Sequence, residues 1–272
     1  MGKIVTQATG EDNVKRLKII LLSFGISFSL FFTKIFARGE GSLDIYLVGL
    51  IYALVTIVGL VWAFNFQIRA RSVKYIFQGA LFVFSEVVFV LLFFFKQFDR
   101  IYEGFLLVLL LLFLGVITYV CFLMINIFNV ALFKDLPLIS VAQTALYIIT
   151  LLMMYFLTFG VLASGFPLYI IIPVIFLIYI FLLYMQFNEM DLDNTHLSYV
   201  VVIISLINIF LLIPFIFVGS SHEVISIVPT VGGFVTGGIL ALKKKDNVNW
   251  QILLYNLLIV IVVVLALYFN WF

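Results

Sequence analysis

Glu86 is the residue best placed to do chemistry, because it is the only acidic side chain well inside a long apolar run, next to the midpoint of residues 75–95. An ionised carboxylate left in hydrocarbon costs several kcal/mol, so the group must be neutral, paired or in contact with water. One consequence is a carboxyl that carries a proton or cation, or balances the charge of a ligand. The other is a protonated side chain that hydrogen-bonds a neighbouring helix and holds it in place.

Uncharged polar residues fall in the same kind of run. Asn208 is expected near the depth of Glu86, and Gln78, Asn126, Asn129, Gln143, Thr144 and Asn256 are expected in the inner half of the membrane. Asn126 and Asn129 are three apart and so share a helical face. A polar cavity open to the inside would account for this set, and so would ordinary hydrogen bonding between helices.

The most distinctive string is Pro229-Thr230-Val231-Gly232-Gly233-Phe234-Val235-Thr236-Gly237-Gly238. Gly233 and Gly237 form a GxxxG pair, which lets another helix approach closely; the alternative is a broken helix whose freed backbone groups bind a substrate or ion. A further string, Asn188-Glu189-Met190-Asp191-Leu192-Asp193-Asn194-Thr195-His196, is acidic. Asp191 and Asp193 are spaced such that they could hold a divalent cation with a phosphorylated substrate, but the glycine and distal glutamate of an EF-hand loop are missing, and a solvated loop is the favoured account of the string.

Several chemistries lack their residues. His196 and His222 are the only histidines and fall in expected loops on opposite sides, which argues against paired haem ligands and histidine-rich iron sites. No mid-membrane lysine exists for a retinal Schiff base, and no glycine-rich loop with lysine exists for ATP. HExxH is absent, and Cys121 is the only cysteine, so neither an intrachain disulfide nor a thiolate metal site can form. No cofactor is expected, and enzymatic activity is disfavoured.

The elements that must position these residues follow from composition. The 272 residues are 65% hydrophobic and 10% charged, with 32 Phe and 13 Tyr. Soluble domains carry roughly 25% charged residues, so the solvent for most of this surface is lipid. Apolar runs of about 20 residues match the hydrocarbon thickness, whereas a transmembrane barrel needs alternating segments of about ten. The expected fold is all-α, a polytopic transmembrane helix bundle with no soluble domain. A polar cytoplasmic segment, residues 1–16, precedes a retained signal anchor, and residues 17–272 form a single transmembrane domain. Nine spans are expected at 17–36, 44–66, 75–95, 105–133, 139–162, 167–187, 198–218, 224–242 and 250–272. The weakest separation is 163–166, and losing it would leave eight.

With the N-terminus inside and the C-terminus outside, 11 of the 15 Lys and Arg residues lie on the inner side and 4 on the outer, in keeping with the positive-inside rule. Trp250 and Trp271 bracket the last span as interface anchors. The basic clusters Arg69/Arg71/Lys74 and Lys243–Lys245 face anionic headgroups, and nothing points to nucleic acid. The expected protein is therefore a multi-pass protein of the plasma (cytoplasmic) membrane. Its leading function is a small permease or channel-like transporter, with Glu86 and Asn208 as coupling or gating residues. An assembly, scaffold or sensor subunit that binds other membrane proteins is the alternative, and a lipid-modifying enzyme using the acidic loop is the third.

Overall fold

The structure is a computed structural model that describes residues 2–36, 42–68, 72–94, 103–131, 139–189, 194–219 and 221–244. Among them there are eight α-helices and no strand: α1 Gly2–Phe36, α2 Ser42–Ala63, α3 Val73–Phe89, α4 Glu103–Ala131, α5 Ile139–Ala163, α6 Leu168–Asn188, α7 Asn194–Val218 and α8 His222–Lys244. A π-turn, Val90–Phe94, continues α3. Helix is the form such runs must take, because lipid offers no partner for backbone N–H and C=O groups and only a helix satisfies them within the segment.

Seven of the helices contain stretches long and apolar enough to cross a membrane: Asn13–Thr33, Asp44–Ala63, Val73–Phe93, Gly104–Val130, Ile139–Ala163, Leu168–Asn188 and Leu197–Phe217. α8 is of comparable length but richer in Gly, Thr and Pro and is not among the seven. The ninth expected span, 250–272, lies outside the described residues.

Helix boundaries differ from expectation where local chemistry overrides hydrophobicity. α1 begins far upstream of its apolar run and includes the polar residues from Gly2 onward. α2 stops at Ala63, short of the expected 66, because Asn65 and Phe66 adopt positive φ angles of 54° and 60° in a tight turn. Asn194, Thr195 and His196 form the first turn of α7, and His222 opens α8, so neither histidine lies in a loop. The uncharged separation at 163–166 is a true break. Gly165 takes a φ of 73°, which costs a residue without Cβ little, and Pro167 in extended conformation caps α6.

The chain divides into two compact units, Met1–Leu146 and Tyr147–Phe272. In the first, α2 packs along α3, α1 packs along α4 and on α2, and α3 also meets α4. α3 is the core of this unit: 78% of its apolar stretch is buried, against 17% for α2. The bare side of α2 carries Leu47, Leu50, Ile51, Leu54, Val55 and Val58, a stripe at helical spacing. In the second unit α6 packs on α7 and α7 on α8. The hydroxyls of Thr158 on α5 and Tyr179 on α6 meet at 2.7 Å.

Candidate functional site

Along the seam between α3 and α4, contacts recur every seven residues on α3. Ser72, just before α3, donates from Oγ to Asn129 Oδ1 at 2.5 Å. A Cβ placed on Gly79 would lie 2.5 Å from Ile125 Cδ1, and Glu86 meets Thr118. Residue numbers rise on one helix as they fall on the other, so the pair is antiparallel, and a seven-residue interval returns to nearly the same helical face. Gly79, at the middle of the seam, lets α4 close on α3 so that the polar contacts at 72 and 86 can form.

Glu86 is 1% exposed. Its Oε2 accepts a 2.8 Å hydrogen bond from Thr118 Oγ1, while its Oε1 has no partner among the described residues. The Thr118 hydroxyl also lies 2.9 Å from the carbonyl oxygen of Leu114, one turn back on α4. A hydroxyl has one proton and can accept through its lone pairs, so this contact supports two arrangements. With Glu86 ionised, Thr118 donates to the carboxylate. With Glu86 protonated, the acid can donate to Thr118 Oγ1 while Thr118 donates to Leu114. No heavy atom has to move between them. The π-turn begins four residues after Glu86, and such turns are frequent at functional sites. Cys121, one turn beyond Thr118, is a buried free thiol.

The remaining described amides of this unit differ in burial and in hydrogen-bond partners. Gln78 is fully buried with both amide atoms unpartnered, so it bonds to neither Asn126, Asn129 nor Gln143. Asn129 is buried and structural: besides Ser72 it donates from Nδ2 to the Gln67 carbonyl at 3.1 Å and thereby ties α4 to the α2–α3 turn. Asn126 and Gln143 are half-buried, and Thr144 is exposed, its hydroxyl bonded to Ser140 of its own helix. Asn129 and Asn126 thus serve different surroundings despite their shared spacing. A groove of about 590 Å³ is lined by Leu106, Leu109, Leu110, Leu112, Phe113 and Val116 on the exposed side of α4; it is apolar and includes none of these amides.

In the second unit the glycine string is part of one continuous helix. α8 runs unbroken from His222 through Pro229, Gly232, Gly233, Gly237 and Gly238 to Lys244, so the broken-helix alternative does not describe this structure. Three helices close on it. A Cβ on Gly232 would collide with Asn208 Oδ1 of α7; one on Gly233 would lie 2.9 Å from Met154 Sδ of α5. One on Gly237 would lie 2.6 Å from Tyr147 Cε2 of α5 and 3.1 Å from Gln186 Nε2 of α6. Tyr147 also donates to the Phe234 carbonyl at 2.6 Å. Asn208 is 1% exposed and donates to the Ile204 carbonyl of its own helix at 2.9 Å, leaving Oδ1 unpartnered. Gln186 is equally buried, with both amide atoms unpartnered.

Sequence reasoning missed Thr118, Gln186 and Tyr147. Threonine is common in membrane helices because it bonds back to its own turn, and Gln186 at the end of a span reads as an interface residue. Asp191, Asp193 and Asn256 lie outside the described residues, and among those described no three His, Cys, Asp or Glu side chains gather to hold a metal.

A surface of exposed leucine, valine and phenylalanine at helical spacing on seven membrane-length helices defines an integral membrane protein of the all-helical class. No protein-family description, curated protein or solved structure matches the chain.

Proposed function

We propose that the protein is a small permease or channel-like carrier in which Glu86 binds and releases a proton or small cation. The supporting observation is the half-satisfied carboxyl in the core of the bundle: Oε2 is bonded to Thr118, and Oε1 has no partner among the described residues and is left to take a proton or cation. The Thr118 hydroxyl accommodates both protonation states, which is what an exchanging group requires. The excess of basic residues on one side of the nine-span topology favours a cytoplasmic-type membrane with the N-terminus inside.

The test is Glu86→Gln in reconstituted vesicles, since the amide keeps size and shape but cannot ionise. Proton or monovalent-cation flux is expected to fall by roughly tenfold or more, with its pH dependence flattened. Unchanged flux with an unchanged pH profile overturns the reading.

The second reading, a subunit of a membrane assembly, draws on the apolar groove along α4. Purification in mild detergent separates the two. A stoichiometric partner membrane protein supports the subunit reading, and a single monodisperse species counts against it.

A further inference from the structure

We infer that the end of the first unit where α1 meets the α2–α3 turn is a binding site for the headgroup of an anionic phospholipid, held by Lys15 and Lys18. These lysines are three apart on α1 and reach across to the turn. Lys15 Nζ donates to Gln67 Oε1 at 3.1 Å. Lys18 Nζ donates to Asn65 Oδ1 at 2.6 Å, lies 3.4 Å from the Trp62 carbonyl oxygen, and sits 4.8 Å from the centre of the Trp62 ring. Every one of these partners is neutral. Both ammonium groups are therefore held against the turn by neutral acceptors. A surface lysine ordinarily keeps its rotamer freedom, and holding two of them through uncharged acceptors pre-organises positive charge for an anion.

The turn itself is built for this. Asn65 and Phe66 are consecutive non-glycine residues at φ 54° and 60°, a conformation that persists only where the surroundings enforce it. It places Asn65 against Lys18 and leaves Phe66 73% exposed, with Trp62 44% exposed one turn earlier. The site also lies at the right depth, because the apolar stretch of α1 begins at Asn13 and that of α2 ends at Ala63. Exposed Trp and Phe at this level favour the boundary between headgroups and acyl chains. Cations beside membrane-level aromatics call for an anion with an apolar tail. A free phosphate would use the lysines and leave Trp62 and Phe66 without a partner.

The experiment is native mass spectrometry of the full chain released from equimolar phosphatidylglycerol and phosphatidylcholine. The wild type is expected to retain phosphatidylglycerol preferentially. Lys15→Ala with Lys18→Ala should lower that preference by about twenty-fivefold, each lysine contributing a factor of about five. Lys34→Ala, which removes one charge near the other end of α1, should leave it unchanged. Trp62→Ala with Phe66→Ala should weaken retention of both lipids. A loss of about fivefold in Lys34→Ala, the share of a single lysine, would show that net charge alone governs retention and would overturn the site. Displacement of the lipid by millimolar glycerol phosphate would overturn the assignment to a lipid in favour of a soluble anion. Circular dichroism of each variant distinguishes lost binding from lost fold. None of these readouts depends on transport through Glu86.

Discussion

The hydrogen bond between Thr118 and Glu86 is the only one the carboxyl makes among the described residues, and it joins α3 to α4 within the core of the first unit. Thr118→Val keeps the shape and removes the hydroxyl, leaving both carboxyl oxygens unbonded. Loss of a buried polar partner costs about 1–3 kcal/mol, so the purified variant is expected to melt at lower temperature, with Thr118→Ser close to the wild type. A Val variant as stable as the wild type would show that the bond contributes nothing. In the Glu86→Gln background the same Val substitution should cost less, because the partner is then a neutral amide. The presence of a buried carboxyl was legible in the sequence, since one charge-capable group in an apolar run stands out. Its partner was not legible: Thr118 is 32 positions away, and nothing in the local pattern distinguishes it from any other membrane threonine.

At the scale of elements, glycine marks where helices close on one another. Gly232 packs against Asn208, whose own amide is held by Ile204, so the side chain cannot swing away freely. Gly232→Ala is expected to cost about 1–3 kcal/mol from overpacking. Gly25 on α1 has open space where a Cβ would go, so Gly25→Ala should be neutral within about 0.5 kcal/mol. Thermal unfolding in detergent checks the pair, and equal effects at both positions would refute the packing role of the α8 glycines. The glycine string itself was apparent from sequence. Which helices meet it was not, because α5, α6 and α7 are apolar on most sides and their periodicity does not reveal a facing direction. The same reason hid the unpartnered amide of Gln186 beside Gly237.

For the molecule as a whole, the count of basic residues makes a prediction about sidedness. In a background with Cys121 replaced by Ser, a cysteine at Gly41 should react with a membrane-impermeant maleimide applied from outside. One at Asp193 or Gly10 should react only after permeabilisation, and one at Phe272 should react from outside. Labelling with the opposite sidedness at Gly41 and Asp193 would reverse the orientation. Protection of Phe272 alone would reduce the spans from nine to eight. The test matters for function because a carrier needs its exchanging group accessible from both sides in turn.

The amino-acid sequence by itself determined the solvent, the helical class and the rough limits of the helices. Hydrophobicity adds up along a chain, and a run of about 20 apolar residues in lipid has only one way to satisfy its backbone. It also singled out Glu86 and the glycines of α8. Only the tertiary structure decided that α3 is the buried helix of its unit, that Asn129 bonds Ser72 and the Gln67 carbonyl, and that α8 is continuous through Pro229. It also decided that Lys15 and Lys18 are pinned to the Asn65–Gln67 turn. These outcomes depend on the rotation and register of packed helices. Such quantities are set by side-chain contacts between distant segments, and a nearly uniform apolar sequence does not encode them locally.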